Sequence, residues 1–180
     1  MITLDTERLR LRMFRDTDLE PYAAMSADPE VTRYLGATGQ PLTRQEAWRQ
    51  MAMLLGHWQL RGYGVWAMEE RATGVLVGRV GLFNPDGWPG LECIWALARG
   101  AWGKGYATEG ARRALQYAFT ELGQARVISL IRPDNTASIR VAERLGETLE
   151  GRVTLFGTEA LVYGISRDRA FSDSDHRMLR

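Results

Sequence analysis

Residues 99–107, RGAWGKGYA, form a glycine-rich segment between an expected strand and an expected helix. Glycine permits backbone angles that other residues resist, and the free N–H groups at a helix N-terminus attract an anion. The spacing matches neither a Walker A loop nor a dinucleotide fingerprint, which argues against nucleotide hydrolysis and hydride transfer. We therefore expect a phosphorylated ligand at this turn, with an ordinary flexible turn as the alternative interpretation. Lys104, the only lysine, is either a charge beside the phosphate or a solvated loop residue.

Glu92 and Cys93 lie in the expected strand 91–98, just before this turn. Alternation places Glu92 on one face with Ile94 and Ala96, and Cys93 on the other. A carboxylate buried on an apolar face has a raised pKa and could act as a base. The alternative is an edge-facing or ion-paired glutamate. Cys93 has no histidine near it in sequence, so we expect a buried, inert thiol.

Asn135 and Ser138 stand at the start of another expected helix. Asparagine is a favoured N-cap residue, so a purely structural role for Asn135 is one reading.

The elements that position these residues follow from local patterns. Basic and apolar residues alternate over 8–14, which predicts a strand with one solvent-exposed face. Thr17 with Glu20, and Thr43 with Glu46, fit the capping box and each predict a helix start. Further strands are expected over 62–71, 74–83, 91–98, 126–131, 148–156 and 158–166, and further helices over 107–122 and from Asn135 to Gly146. This order predicts one α/β domain with a mixed sheet, mostly antiparallel and partly parallel, flanked by helices.

Length and composition set the outer limits. The 180 residues, with 45% hydrophobic and 25% charged, suit one globular domain, expected over residues 1–169 with a polar tail over 170–180. The formal charge of +1 gives no general attraction for nucleic acid or an anionic membrane. With one cysteine and two histidines, we expect no internal disulfide and no metal site. No apolar run suits a signal peptide or a membrane span, so we expect a cytoplasmic protein.

Several motifs in order resemble the GNAT superfamily of N-acetyltransferases, and in particular its RimJ/RimL-like branch of ribosomal-protein acetyltransferases. The resemblance covers about residues 6–169. It rests on Thr6-Glu7-Arg8-Leu9 with Leu11, Arg12 and Asp18, on Gly78-Arg79-Val80-Gly81-Leu82, on Trp102 to Glu109, on Asn135 with Ser138, on Leu145-Gly146, and on Val162-Tyr163.

This resemblance implies that acetyl-CoA is the co-substrate and that no metal takes part. The residues it assigns to acetyl-CoA are Leu97, Trp102, Gly103, Lys104, Gly105, Tyr106, Ala107, Thr108, Asn135 and Ser138. The chain departs from the family pattern twice: Trp102 replaces Gln or Arg at the first signature position, and Ala142 occupies the position of the usual thiolate-protonating tyrosine. Ser138, Tyr163 or water is then the candidate acid, and Glu92 the candidate base.

The resemblance implies direct attack of an amine on the thioester, with a protein or peptide α-amino group as the expected acceptor. A small amine, such as an amino sugar, polyamine, amino acid or antibiotic, is the second reading. A non-catalytic acyl-CoA-binding module is the third, motivated by Ala142. A nucleic-acid-binding role is the weakest, because the basic stripe of Arg8, Arg10 and Arg12 stands alone.

Overall fold

The computed structural model describes residues 2–172 and contains one eight-stranded mixed sheet. The strands are β1 (Leu4–Asp5), β2 (Leu9–Arg12), β3 (Val65–Glu70), β4 (Leu76–Phe83), β5 (Glu92–Leu97), β6 (Arg126–Ile131), β7 (Thr148–Leu155) and β8 (Thr158–Ser166). Their order in the sheet is β1-β2-β3-β4-β5-β6-β8-β7, and β5 with β6 is the parallel pair. The predicted mixed, mostly antiparallel sheet is confirmed.

Helices cover both faces of this sheet. They are α1 (Leu19–Ser26), α2 (Pro29–Thr32), α3 (Arg44–Arg61), α4 (Tyr106–Thr120), α5 (Thr136–Arg144) and α6 (Arg167–Ala170). The capping box predicted for α3 is confirmed, because Thr43 N–H donates to Glu46 Oε2 at 2.8 Å and Glu46 N–H donates to Thr43 Oγ1 at 3.2 Å. Among residues 2–172, no helix is both long and apolar enough to cross a membrane.

The start of α1 differs from the prediction. Thr17 does not cap it; a 3-10 turn over Asp16–Asp18 precedes the helix, and the Asp18 carboxylate accepts the Arg15 N–H at 2.8 Å. Glu20 instead pairs with Arg44 across the surface. The local pattern misled because the aspartate one position after Thr17 is buried and has a partner of its own.

That partner is Arg12, which the alternating pattern had placed on a solvent-exposed face. Arg12 is only 5% exposed, and its guanidinium makes a two-pronged pair with Asp18 at 2.7 and 2.8 Å and a third bond to Glu69 at 2.6 Å. Two carboxylates offset the cost of burying one charge. The exposed face of β2 therefore ends at Arg10.

Helix α4 lies closely on β2, β3 and β4 because one of its residues has no side chain. A Cβ placed on Gly110 would approach Met68 Cε to 2.8 Å and Val80 Cγ1 to 3.2 Å. Ala111, Ala114 and Ala118, all fully buried, continue the same contact. This close seating fixes where the N-terminus of α4 points.

Strands β5 and β6 separate soon after they begin to pair. On one side β5 pairs with β4 along its whole length, from Phe83↔Glu92 to Gly78↔Leu97. On the other side its register with β6 has the single position Glu92↔Ile128. The sheet thus opens between the C-terminal halves of these two strands, and the opening lies beside the start of α4.

The C-terminal segment packs onto the domain further than the predicted tail boundary. Ala170, at the end of α6, is buried, and the Phe171 ring lies edge-on to Phe119 with centroids 6.2 Å apart. The rest of the expected tail, residues 173–180, lies outside the described part of the chain.

Candidate active site

The glycine-rich turn leads into α4 through two left-handed residues. Gly103 has φ +75° and Gly105, the N-cap of α4, has φ +81°, a region that L side chains rarely adopt. Glu109 is the residue whose N–H bonds back to Gly105 O, at 3.0 Å, so the N–H groups of residues 106–108 precede the helical ladder and are open to a ligand. Together with the helix dipole, these N–H groups suit an anionic ligand, the kind of ligand expected from the sequence.

A set of hydrogen bonds from the N-terminal segment holds this turn in place. Glu109 accepts the Thr6 hydroxyl at 2.6 Å, the Arg8 N–H at 2.9 Å and Arg8 Nε at 2.7 Å. Arg8 Nη1 also donates to Lys104 O at 2.8 Å, and its guanidinium lies 4.8 Å from the Tyr106 ring centre. The Thr6–Arg8 motif and Glu109, over 100 residues apart in sequence, are thus one clamp at the start of α4.

A cavity of about 550 Å³ opens at this turn, and we call it the glycine-turn cavity. Of the residues assigned to acetyl-CoA, Lys104 is absent from its walls, because the Lys104 ammonium lies 5.8 Å from the Tyr106 ring centre instead. Trp102 lines the cavity and its Nε1 donates to Leu97 O at 2.9 Å. The other assigned residues that line it are Leu97, Gly103, Gly105, Tyr106, Ala107, Thr108, Asn135 and Ser138.

Three arginines on the walls of the glycine-turn cavity were missed by the sequence reasoning. Arg140 and Arg144 come from α5, and Arg33 from the segment after α2. These three arginines bring positive charge to the cavity walls, whereas Lys104 is not among the lining residues. The spacing of Arg140 and Arg144, four residues apart and both after the capped Asn135, was the one available signal, since i and i+4 lie on the same helix face.

A second cavity of about 290 Å³ lies further along β5, at the Glu92 end of the strand, and we call it the Glu92 cavity. Glu92 is 6% exposed; Trp88 Nε1 donates to its Oε2 at 2.8 Å and the Leu130 N–H to its Oε1 at 3.2 Å. Burial raises the pKa of Glu92 to about 7, while these two bonds and the charge of Arg79 oppose the rise. The alternative interpretation of Glu92 is therefore wrong: the residue does not face a sheet edge, and within residues 2–172 its carboxylate forms no ion pair.

Side chains hold open the gap between β5 and β6. The Leu130 N–H bonds to the Glu92 carboxylate, and Cys93 O accepts the Ser129 hydroxyl at 3.1 Å. Ser129 Oγ also lies 3.0 Å from Oε1 of the buried Glu147. Burial and the nearby charge of Glu92 raise the pKa of Glu147 to about 8. Backbone groups near the parting of the strands are thus satisfied without strand pairing.

The two cavities meet at this gap and share walls formed by Trp95, Asn135 and Ser138. The Asn135 side chain caps α5 by accepting the Ser138 N–H at 3.2 Å, and Trp95 Nε1 donates to Ser138 Oγ at 3.2 Å. Because Ser138 Oγ already accepts a bond, its own proton is free to be donated at the junction. A ligand in one cavity can therefore meet a ligand in the other beside this hydroxyl.

Tyr163 does not join this arrangement, and Cys93 lines the Glu92 cavity without an exposed thiol. The Tyr163 side chain packs with Ile131, Ala142 and Leu161, and Tyr163 lines neither cavity. Cys93 is 1% exposed, and burial raises its pKa well above the usual range, as expected for an inert thiol. The aromatic residues that line the Glu92 cavity are Tyr34, Phe83, Trp88, Trp95 and Phe156, whereas Trp58 and Trp66 belong to the hydrophobic core.

The model of the acetyltransferase (GNAT) domain matches residues 8–148. The chain belongs to the GNAT acetyltransferase family. It is accordingly an enzyme that transfers acetyl groups, as the sequence predicted.

Curated relatives agree at the level of the family. Protein YkkB of Bacillus subtilis is 37% identical over 150 residues, covering 79% of this chain and 83% of that protein. The N-acetyltransferase p20 of Bacillus licheniformis is 33% identical over 84% of this chain and 85% of its own. An FsC-acetyl coenzyme A-N(2)-transacetylase of Aspergillus fumigatus is 34% identical over 81% of this chain and 65% of its own.

Solved structures share the fold. An acetyltransferase from Agrobacterium tumefaciens superposes with a TM-score of 0.82 at 33% identity, covering 92% of this chain and 94% of that one. RimL, an α-N-protein acetyltransferase in complex with coenzyme A, gives a TM-score of 0.76 at 17% identity, covering 93% and 99%. At that identity the likeness to RimL shows the fold alone.

The described residues contain no group of three or more His, Cys, Asp and Glu side chains placed to hold a metal ion.

Proposed function

We propose that this N-acetyltransferase uses acetyl-CoA and acetylates an amine held in the Glu92 cavity, by direct attack within a ternary complex. The observation that carries the proposal is the meeting of the two cavities at Trp95 and Ser138, with an anion site on one side and a buried carboxylate on the other. When bound, acetyl-CoA supplies the acetyl thioester: the amine nitrogen forms a bond to the carbonyl carbon and the carbon–sulfur bond breaks.

The glycine-turn cavity fits the phosphates and the extended arm of this co-substrate. Open N–H groups at residues 106–108 and the left-handed Gly103 and Gly105 leave room for phosphate oxygens without side chains in the way. Arg140 and Arg144 add charge along the same wall. The parted strands leave a slot beside Leu97 that leads from the turn to Ser138.

Glu92 has the properties of the base that the attacking amine needs. An α-amino group with a pKa of about 7.7–8.0 is mostly protonated at neutral pH and must lose a proton before attack. With its own pKa raised to about 7, Glu92 is partly ionised at neutral pH and can accept that proton, directly or through water. The proton then resides on Glu92 Oε1 or Oε2.

Ser138 takes the place of the usual tyrosine as the group that stabilises the departing thiolate. Its hydroxyl accepts a bond from Trp95 and holds a proton directed to the junction. Ala142 is fully buried against Ile131 and Leu161, so that position has no polar atom to offer. The nitrogen loses a second proton as the amide forms, and water relays that proton to Ser138, which restores the hydroxyl.

A protein or peptide α-amino group is the acceptor expected from the family resemblance, and the partial likeness to RimL supports it. A small amine is the second candidate, favoured by the volume of the Glu92 cavity, about 290 Å³, which is small for a peptide site. The name of the Aspergillus relative, an N(2)-transacetylase, also points to acceptors outside ribosomal proteins.

Release of free CoA from acetyl-CoA, measured across a panel of peptides and small amines, tests the proposal. We expect at least one amine class to support turnover, and Ser138→Ala to slow it without weakening acetyl-CoA binding. A protein that binds acetyl-CoA but acetylates no amine would be an acyl-CoA-binding module, and the proposal would be wrong.

A further inference from the structure

The Glu92 cavity contains a buried guanidinium for which the protein supplies no counter-ion. Arg79, on β4, is 8% exposed and lines this cavity, and its Nε is buried with no hydrogen-bond partner. Among residues 2–172, no carboxylate lies within ion-pair distance of Arg79. Arg12 shows the contrast: it is equally buried, yet it binds both Asp18 and Glu69.

The neighbours of Arg79 do not neutralise it. Its guanidinium carbon lies 6.0 Å from the Tyr22 ring centre, a weak cation–π contact. The Tyr22 hydroxyl donates to Gln50 Oε1 at 2.6 Å. Glu92 faces the same cavity and Arg79 lowers its pKa, but Glu92 is bonded to Trp88 and Leu130.

Strand geometry leaves space between Arg79 and Glu92. Arg79 pairs with Ala96, and Phe83 pairs with Glu92, so the two charged residues are four positions apart along the strands, about 13 Å between backbone positions. Alternation puts Arg79, Gly81 and Phe83 on the same face of β4. Ile94, which pairs with Gly81, lies between the two charged residues and lines the same cavity.

An unpaired buried charge is costly, and removing that cost favours a ligand that brings the opposite charge. We propose that the acceptor amine carries a carboxylate, which binds the Arg79 guanidinium while the amine lies towards Glu92 and Ser138. This inference rests on the proposed N-acetyltransferase function and names its acceptor class. Polyamines and amino sugars lack the carboxylate and are disfavoured as acceptors.

The carboxylate has two possible sources, and matched acceptors separate them. One arm compares L-amino acids with their primary amides, for example phenylalanine with phenylalaninamide. The other compares peptides that differ only in Glu or Gln at the second position. We expect kcat/KM to favour the acid by about 10- to 100-fold in one arm, the range of a single charge-assisted hydrogen-bonded contact. A free carboxylate raises the amine pKa, so amine reactivity alone would favour the amide.

Variants of Arg79 locate the effect. Arg79→Met should reduce the acid-to-amide preference to within threefold, and Arg79→Lys, which keeps the charge but not the planar fork, should retain part of it. The matched control is Arg132→Gln: Arg132 lines the same cavity, but its Nη2 already donates to Gly36 O and Ala37 O at 2.9 and 3.0 Å. The acid preference should survive in this control. A thermal shift with acetyl-CoA shows that each variant is folded.

The outcomes separate this inference from the function on which it rests. If spermidine, glucosamine or an amide releases CoA as well as the acid partners do, the enzyme is an N-acetyltransferase and the carboxylate inference is wrong. Loss of the acid preference in Arg132→Gln but not in Arg79→Met would also overturn it. If no amine releases CoA, the proposed function fails. Calorimetric binding of N-acetylphenylalanine and its amide to the CoA-bound protein then decides the inference, which falls if the acid has no advantage.

Discussion

Glu92 gains its chemistry from its immediate surroundings. Burial disfavours its charged form, while the Trp88 N–H, the Leu130 N–H and the Arg79 charge stabilise that form, and the balance sets the pKa at about 7. A base works best when its pKa lies near the working pH. The same glutamate on an exposed strand edge would stay ionised at pH 7 but would be a much weaker base.

The first residue-scale prediction concerns the pH dependence of this base. Glu92→Gln should lower kcat/KM for the amine by about 10²–10⁴-fold near pH 7. The gap should narrow as pH rises, because more of the amine is already neutral. Wild-type activity should rise through pH 7 as Glu92 ionises, and the variant should lose that limb. Rate profiles over about pH 6 to 9.5, bracketing the α-amino pKa, provide the measurement.

Trp88→Phe serves as the companion variant. It removes the bond that stabilises ionised Glu92, so the acid limb should move to higher pH rather than disappear. Parallel wild-type and Glu92→Gln profiles, within threefold throughout, would exclude Glu92 from proton transfer.

At the scale of elements, α4 and the N-terminal segment form one binding unit. The helix supplies the anion site, Gly110 allows it to lie flat on the sheet, and the clamp of Thr6, Arg8 and Glu109 fixes its first turn. Binding energy at a helix N-terminus depends on N–H groups that already point at the ligand. A clamp far from the ligand in sequence should therefore affect affinity.

The matched pair Arg8→Ala and Arg10→Ala tests this role. Both arginines lie near β2 with partly exposed side chains paired to one carboxylate, Arg8 to Glu109 and Arg10 to Asp5. Arg8→Ala should weaken acetyl-CoA binding by about 3- to 10-fold, the loss of about 1 kcal/mol of ordering at the turn. Arg10→Ala should leave affinity unchanged. Calorimetric titration gives both values, and equal affinities in the two variants would show that the turn needs no clamp.

At the scale of the whole molecule, the buried carboxyl groups of Glu92 and Glu147 lie at the gap between β5 and β6. Glu147 lies behind Ser129, with Oε2 buried and unpartnered among residues 2–172. A serine hydroxyl has one proton, so when Ser129 donates to Cys93 O, neutral Glu147 can donate in turn to Ser129 Oγ. The polar atoms at this gap therefore have the most hydrogen bonds when Glu147 is protonated.

This arrangement predicts that the protein loses stability as pH rises. Between the unfolded pKa of about 4.5 and the raised values of about 7 for Glu92 and 8 for Glu147, the native state holds more protons than the unfolded chain. Asp18 and His57, whose pKa values are lowered, act in the opposite sense, below about pH 4 and near pH 6.5 respectively. The two glutamates account for the loss of stability up to about pH 8, and the buried Cys93 thiol, whose pKa is also raised, adds to the loss at higher pH.

Glu147→Gln should remove most of that loss. At pH 5.5 the variant and wild type should have similar unfolding free energies, and at pH 9 the variant should be more stable by on the order of 3 kcal/mol. Denaturant titrations at both pH values measure the difference. Glu143→Gln, an exposed glutamate on α5, is the control and should change stability equally little at each pH. A variant that is no more stable than wild type at pH 9 would contradict a protonated Glu147 at this gap.

Most of the fold was accessible from sequence because its signals are local. Three such signals depend on neighbours within a few residues: the alternation in β5, the glycines around α4 and the Thr43–Glu46 capping box. The structure has a strand, a helix start and a capped helix at these positions. The prediction of a capping box at Thr17 and the prediction of a solvent-exposed Arg12 were both wrong. Both depend on the ion pair between Arg12 and Asp18, which local patterns do not encode.

The candidate site divides in the same way. The turn, Glu92, Asn135 and Ser138 stand out by residue type beside strand or helix ends. Arg79, Trp95 and Arg144 gain their places only when β4, β5 and α5 are brought together around the gap. Lys104 drew attention because it is the only lysine, yet rarity of a residue says nothing about where its side chain points.

The lone thiol of Cys93 has a practical consequence. Cys93 is 1% exposed, on the strand β5 that contributes to the walls of both cavities, and the sequence contains no second cysteine. An alkylating reagent can reach the Cys93 thiol only when the native structure opens. The rate at which a single added mass appears therefore reports how often the structure opens. A ligand that binds only the closed state lowers the rate of Cys93 alkylation by a factor of 1 + [L]/Kd. The alkylation rate therefore gives the affinity of any CoA ester without turnover. Because native Cys93 stays silent, a thiol reagent added to a turnover assay counts released CoA alone.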